Sequence, residues 1–212
     1  MLLFLLLLFP VSLVLYFTFT KEKKYLLVVY MGLITGVLVC AVRFIFSYPH
    51  RLIPDSFIQN YIYYLVKLTI LPMLLVPAGF FVLSKNNADF KAKAIFPLMA
   101  SFYLIYLPYY IMSMTDSRYS LYDISLRPLI YLAMIIQIAY SAKRLVYCIQ
   151  EDNKSQKLKN IILIIVYMLF PAFADSCFIS VKMVYVACVL SFGYLAYSGL
   201  CLKKEYKLLK NE

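Results

Sequence analysis

The chain has 212 residues, a net charge of +11 and a hydrophobic content of 64%, with only 15% charged residues. Its mean hydropathy is +0.82, and a water-soluble domain of this size would not expose so much apolar surface. The composition predicts an integral membrane protein and leaves no stretch for a separate catalytic or nucleic-acid-binding domain. A single histidine and five cysteines without a CxxC pair argue against metal sites, disulfides and cofactors.

Seven segments are long and apolar enough to cross a bilayer, whose core of about 30 Å needs about 20 residues of helix. They predict an all-α integral membrane protein, a bundle of about seven transmembrane helices in one domain, 1–212. In chain order the segments are roughly 1–20, 25–47, 58–84, 94–115, 128–148, 160–178 and 183–202. Only residues 175–182 separate the last two, so six spans are an alternative. The first segment is expected to be a span and not a cleaved signal peptide, because its lysines follow the apolar run.

The distribution of basic residues predicts the orientation, because Lys and Arg concentrate in cytoplasmic loops. Fifteen of them follow the first, third, fifth and last spans: Lys21, Lys23, Lys24, Lys85, Lys91, Lys93, Lys143, Arg144, Lys154, Lys157, Lys159, Lys203, Lys204, Lys207 and Lys210. The opposite side carries five: Arg43, Arg51, Arg118, Arg127 and Lys182. We therefore expect the N-terminus outside and the C-terminus in the cytoplasm, which requires an odd number of spans. Short loops and small size are typical of a bacterial inner-membrane protein.

Polar residues inside the third span indicate a candidate site. An ionisable side chain in the hydrocarbon costs about 2.5 to 3.5 kcal/mol on insertion scales, so it is expected to face protein or water. Lys67 lies about 13 Å along this span, close to the bilayer midplane. Residues at helical spacing before it form one polar, aromatic face: Asn60, Tyr63 and Tyr64. Pro72 and Pro77 follow, where they can kink the helix and release backbone carbonyls.

A second set of charges lies near the outer ends of other spans. Asp175 is the expected counter-charge of Lys67, and Arg43 ends the second span. We expect an outward-facing, basic, tyrosine-lined cavity for a small anionic or amphipathic ligand. The candidate ligand-binding residues are Lys67, Asp175, Asn60, Tyr63, Tyr64, Arg43, Tyr106 and Tyr110. The structural alternative is a buried Lys67–Asp175 pair, with Arg43 and Lys182 extending to the lipid headgroups.

Tyrosine is frequent, with 21 residues and no tryptophan. Many tyrosines fall at predicted outer interfaces, which favours an aromatic belt at headgroup depth. These are Tyr48, Tyr61, Tyr63, Tyr64, Tyr109, Tyr110, Tyr119, Tyr122 and Tyr131. Tyr103, Tyr106 and Tyr110 form a helical stripe with Ser113 on the fourth span, which predicts core packing or, alternatively, a cavity lining.

Gly32 and Gly36 form a GxxxG motif on the second span, extended by Cys40 at the same spacing. Small residues at this spacing allow a neighbouring helix to approach closely. We expect that neighbour to belong to the same chain, with homodimerisation as the alternative.

The signatures of several classes of membrane enzyme are missing from the sequence. An intramembrane aspartyl protease needs two facing carboxylates, and a rhomboid-type protease needs a serine motif with a histidine partner. We therefore expect a protein without catalytic activity, of sensory or interaction type, or alternatively the substrate-binding or scaffold subunit of a membrane transporter. The expected partners are the lipid bilayer, a protein at the basic cytoplasmic face and a small anionic ligand, and no nucleic acid.

Overall fold

A computed structural model describes residues 24–46, 56–70, 88–114, 122, 126–150, 154–179 and 184–210. Nearly all of these residues are helical and none lies in a strand, which confirms the all-α class. The helices are α1 (Lys24–Phe46), α2 (Phe57–Tyr64) with a π-helical turn (Leu65–Ile70) directly after it, α3 (Ala88–Met114), α4 (Arg127–Gln150), α5 (Lys154–Ile179) and α6 (Val184–Lys210).

Four of these helices are long and apolar enough to cross a membrane. The candidate spans are Tyr25–Ile45, Lys93–Met112, Arg127–Ile149 and Lys154–Phe178, and α6 contains a shorter apolar stretch, Tyr185–Cys201. The chain is therefore a membrane protein. The segment predicted over 1–20 and the part of the third span after residue 70, including Pro72 and Pro77, lie outside the described residues.

Several helices extend beyond the apolar segments from which they were predicted. Helix α5 begins at Lys154, ahead of the predicted start at residue 160, and α6 continues to Lys210, past residue 202. Lysine is a good helix former, and its long side chain reaches water from a helix that passes the edge of the hydrocarbon. Basic residues that the sequence analysis assigned to loops therefore lie on helices.

The chain divides into two compact units, Met1–Ile53 with Ala94–Pro128, and Pro54–Lys93 with Leu129–Glu212. In the first unit α1 packs against α3 through its glycines. A methyl group on Gly32 would overlap the Ser101 hydroxyl and lie 2.6 Å from the Leu98 carbonyl oxygen, and one on Gly36 would lie 3.2 Å from the Phe102 carbonyl oxygen. The GxxxG motif thus packs within the chain, as expected, and α1 and α3 run parallel.

In the second unit α4, α5 and α6 alternate in direction. Contacts between α4 and α5 pair Tyr131 with Asp175 at one end and Cys148 with Gln156 at the other, so these helices are antiparallel. The inward side of α6 follows a heptad-like 4-3-4-3 spacing typical of left-handed helix packing. Its members are Ala187, Ser191, Tyr194, Ser198 and Cys201.

Helix α2 begins at a capped N-terminus in the same unit. The hydroxyl of Ser56 accepts a hydrogen bond from the backbone N–H of Gln59 at 3.3 Å, which satisfies one of the free donors of the first turn. Both α2 and the π-helical turn pack along α5, and the ring centres of Phe57 and Phe173 lie 6.0 Å apart. Because Phe173 is near the end of α5, the π-helical turn can also contact α5 only if the two helices are antiparallel.

Candidate functional site

The first unit holds three of the predicted site residues together in one cluster. Arg43, in the last turn of α1, donates a hydrogen bond from Nη1 to the Tyr106 hydroxyl at 2.6 Å. Its guanidinium carbon lies 4.7 Å from the centre of the Tyr110 ring and 5.6 Å from that of Tyr106. Both tyrosines are buried, whereas Arg43 is half-buried. We call Arg43, Tyr106 and Tyr110 the arginine clamp.

The local sequence explains why the arginine clamp forms. Gly36 lies against α3 beside Phe102, and Arg43 lies seven residues later, on the same face of α1. Tyr106 and Tyr110 follow Phe102 at steps of four residues on α3, so they face the same neighbour. Because α1 and α3 run parallel, the glycine contact brings Arg43 to the level of these tyrosines.

The electrostatic environment of Arg43 is unusual for a membrane helix. The part of the first unit that the structure describes contains no aspartate or glutamate, so Arg43 has no carboxylate partner among those residues. Among the described residues its charge faces two tyrosine rings and one phenol oxygen, none of which carries a formal negative charge. The guanidinium has several further N–H donors that suit an anion with two oxygens.

In the second unit Lys67 lies within the π-helical turn and interacts with its own helix. Its ammonium donates a hydrogen bond to the Tyr63 hydroxyl at 2.9 Å and lies 4.1 Å from the centre of that ring. The rings of Tyr63 and Tyr64 meet edge to face at 5.5 Å. Asn60 is buried, and its Oδ1 has no hydrogen-bond partner among the described residues. The four residues therefore lie along one helix, as their spacing predicted.

Asp175 lies on α5 at a different level from Lys67. It is two residues from Phe173, whereas Lys67 is ten residues beyond Phe57, about 15 Å further along the helix. Asp175 is 0% exposed, and its Oδ2 accepts a hydrogen bond from the Tyr131 hydroxyl at 3.1 Å. The contacts of the two charges include hydrogen bonds with tyrosines, between Lys67 and Tyr63 and between Asp175 and Tyr131.

The aromatic belt is a wrong prediction for part of its members. Tyr64, Tyr110 and Tyr131 are buried inside the protein, whereas Tyr61 and Tyr109 are partly exposed. A tyrosine hydroxyl with a polar partner, such as that of Tyr131, lets the ring pack in the interior. Tyr48 and Tyr119 lie outside the described residues, as does Lys182, and so does the Ser113 side chain.

Two polar residues were not recognised from the sequence. Gln137 is fully buried, and its Nε2 donates a hydrogen bond to the Tyr194 carbonyl oxygen at 3.0 Å. Arg127 was expected in an external loop, yet it is buried at the start of α4, with its guanidinium carbon 5.0 Å from the centre of the Tyr122 ring. The burial of Gln137 could have been predicted, because it is a lone glutamine within an apolar segment. No sequence pattern distinguished Arg127 from a loop residue.

Among these groups the arginine clamp has chemistry that suits an anion, because it holds a cation whose guanidinium carries N–H donors beyond the one that contacts Tyr106. Lys67 and Asp175 each have polar contacts to tyrosine hydroxyls, and their ligand-binding role remains a prediction. No protein-family model matches the chain, and neither does a curated protein or a solved structure.

Proposed function

We propose that this multi-pass membrane protein is of sensory or interaction type and binds a small anionic or amphipathic ligand. The observation that carries the proposal is the arginine clamp, in which a half-buried guanidinium is held on two buried tyrosine rings without a carboxylate among the described residues of its unit. An anion bound there would restore electroneutrality at a place where an unpaired charge is costly.

The proposal includes seven spans in a cell membrane of the bacterial inner-membrane type, with the N-terminus outside and the C-terminus in the cytoplasm. The helix directions support it. Within the first unit α1 and α3 run parallel, and within the second α2 and α4 both run antiparallel to α5. A chain that crosses the membrane at each helix in turn has this alternation, and the segment 1–20 would add the seventh crossing.

In this orientation Arg43 faces the outside, and the ends of α4, α5 and α6 that carry Lys143, Lys154 and Lys203 face the cytoplasm. We propose that Lys67, Asp175, Asn60, Tyr63 and Tyr64 have a ligand-binding role of their own within the second unit, and that the basic cytoplasmic face contacts a partner protein. No catalytic step is part of the proposal.

The test is a thermal-shift measurement on the detergent-purified chain with octanoate and inorganic phosphate as probes. A ligand at 100 times its dissociation constant stabilises the folded state by about 2.7 kcal/mol, which is a readily measured shift in Tm. Arg43→Gln is expected to abolish the shift.

Arg144→Gln is the matched control, because Arg144 is exposed and its guanidinium carbon also lies near a tyrosine ring, 4.8 Å from the centre of Tyr140. This variant should retain the full shift. No shift with either probe, or an equal loss in both variants, would contradict the proposal. A shift together with uptake of the same anion into proteoliposomes would favour the transporter-subunit alternative.

A further inference from the structure

The depth of Arg43 in the bilayer bears on which anion reaches it. Lys24 and Arg43 are nineteen residues apart on α1, which is about 28 Å of helix. This length is close to the thickness of the hydrocarbon core. If Lys24 is at one edge of the core, the backbone of Arg43 is at the other edge, where lipid headgroups begin.

The surface next to Arg43 is apolar and exposed. Val42 and Phe44, its neighbours in sequence, are both exposed, and so is Ile45. The exposed surface continues along α1 through Leu38, which is 59% exposed, to Ile34. We call Ile34, Leu38 and Val42 the apolar stripe; their spacing of four residues gives a slowly winding track up to the level of Arg43. In a bilayer such a track contacts acyl chains.

We propose that the anion bound by the arginine clamp is the headgroup of an anionic membrane lipid, whose acyl chain lies along the apolar stripe. This inference rests on the proposed function and names its ligand class: an amphiphile with a phosphate or carboxylate head. The lipid reaches Arg43 laterally from the bilayer. A soluble anion with the same head would have to arrive from water and would gain nothing from the stripe.

The geometry of the clamp suits this ligand. The tyrosines hold the guanidinium from the α3 side through the Nη1 hydrogen bond and the two ring contacts. Nε and Nη2 are further donors of the same planar group. A planar guanidinium fixed in this way can donate two parallel hydrogen bonds to a phosphate or carboxylate, which a lysine cannot do.

The experiment uses the full chain in phosphatidylcholine nanodiscs, with and without phosphatidylglycerol. The measured quantities are the Tm and the number of lipids retained in native mass spectra after release into detergent. Water-soluble glycerol phosphate and inorganic phosphate form the second arm. The variants are Arg43→Gln, Arg43→Lys, Leu38→Ala and Arg144→Gln.

The expected result is that phosphatidylglycerol raises the Tm of the wild-type protein and that one lipid is retained per chain. Retention should fall at least tenfold in Arg43→Gln, fall less in Arg43→Lys and Leu38→Ala, and stay unchanged in Arg144→Gln. If Arg43→Gln does not fold, Arg43→Lys and Leu38→Ala still decide the outcome, because neither removes the charge.

Three outcomes overturn the inference. If glycerol phosphate stabilises the chain through Arg43 and phosphatidylglycerol does not, the ligand is a soluble anion and the proposed function survives. If neither phosphatidylglycerol nor the soluble phosphates stabilise the chain through Arg43, the lipid-binding inference and the proposed function both fail. If Arg144→Gln loses as much retained lipid as Arg43→Gln, the binding is general attraction between basic residues and anionic lipid.

Discussion

The two units differ in the use of glycine between helices: the described glycines of the first unit lie against a neighbouring helix, whereas added methyl groups on those of the second would meet nothing within 4 Å. In the first unit α1 and α3 meet at Gly32 and Gly36. Because glycine has no side chain, the backbone of α1 lies directly against backbone and side-chain atoms of α3. In the second unit the helices are joined by hydrogen bonds between side chains and to the backbone, such as those of Tyr131 with Asp175 and of Gln137 with the Tyr194 carbonyl. Lipid offers no hydrophobic force between helices, so close packing and polar contacts are the two available substitutes.

The difference also concerns charge. In the first unit, where glycines bring the helices together, the half-buried cation Arg43 is held by contacts with tyrosines. Where hydrogen bonds join the helices, the carboxylate of Asp175 is fully enclosed and accepts from a phenol. The first arrangement leaves the charge of Arg43 half-buried, whereas the second encloses Asp175 between neighbouring helices.

The largest effect is expected from Gly32→Val in the first unit. Because a single added carbon already overlaps Ser101, the helices must separate or bend, and we expect the free energy of unfolding to fall by about 3 kcal/mol. The measurement is reversible unfolding in mixed micelles.

Gly193→Ala on α6 is the control for this substitution, since a methyl group there meets nothing within 4 Å. It should leave the protein as stable or stabilise it by up to about 1 kcal/mol, because alanine is the better helix former. Equal destabilisation by the two variants would mean that the first unit does not depend on close approach at Gly32.

The next effect is expected from Tyr131→Phe in the second unit. Removing the hydroxyl deprives the buried carboxylate of Asp175 of a donor, and hydrogen bonds to charged groups contribute about 1.5 to 3 kcal/mol. Ordinary hydrogen bonds between membrane helices average only about 0.6 kcal/mol. A fall of about 2 kcal/mol in the free energy of unfolding would therefore indicate a hydrogen bond to a charged carboxylate and not an ordinary one.

Tyr185→Phe provides the matched control, because Tyr185 is 86% exposed. It should change the free energy of unfolding by less than about 0.5 kcal/mol. If Tyr131→Phe costs no more than this control, the hydrogen bond to Asp175 does not stabilise the second unit.

A smaller effect is expected from Arg43→Gln. Cation–π contacts contribute about 0.5 to 2 kcal/mol, depending on exposure, and Arg43 is half-buried, so we expect a loss of about 1 kcal/mol in ligand-free micelles. A larger loss than that of Tyr131→Phe would reverse the comparison, since Arg43 would then be a structural residue of the first unit. The same unfolding measurement decides this.

The sequence was sufficient for those features that depend on local spacing. Five of the apolar segments predicted α1 and α3 to α6, and the GxxxG motif predicted the contact of α1. The spacing of Asn60, Tyr63, Tyr64 and Lys67 placed them along one helix. Arg43, Tyr106 and Tyr110 were named as site residues, but their direct contact depends on the parallel register of α1 and α3. No local pattern encodes that register.

The partners of the buried polar groups were not predictable for the same reason. Asp175 was expected to be the counter-charge of Lys67, and that pairing stays a prediction. The contact that the sequence did not indicate is the hydrogen bond from the Tyr131 phenol on α4 to the Asp175 carboxylate. Tyr131 resembled a belt residue because it lies near a helix end. Its burial is decided by which helix packs against α4, and composition contains no information on that choice.

The smallest effect is expected at Lys67, which the sequence made the most conspicuous intramembrane charge. Its contact with Tyr63 lies within a single helix at a separation of four residues, and such pairs contribute about 0.2 to 0.5 kcal/mol. A double-mutant cycle of Lys67→Met and Tyr63→Phe isolates this term from every other contact that either residue makes. We expect a coupling of about 0.3 kcal/mol, well below the loss in Tyr131→Phe. A coupling above about 1 kcal/mol would mean that Lys67 contributes to the stability of the second unit about as much as Asp175 does. The contrast between the units would then depend on helix geometry and not on the sign of the charge.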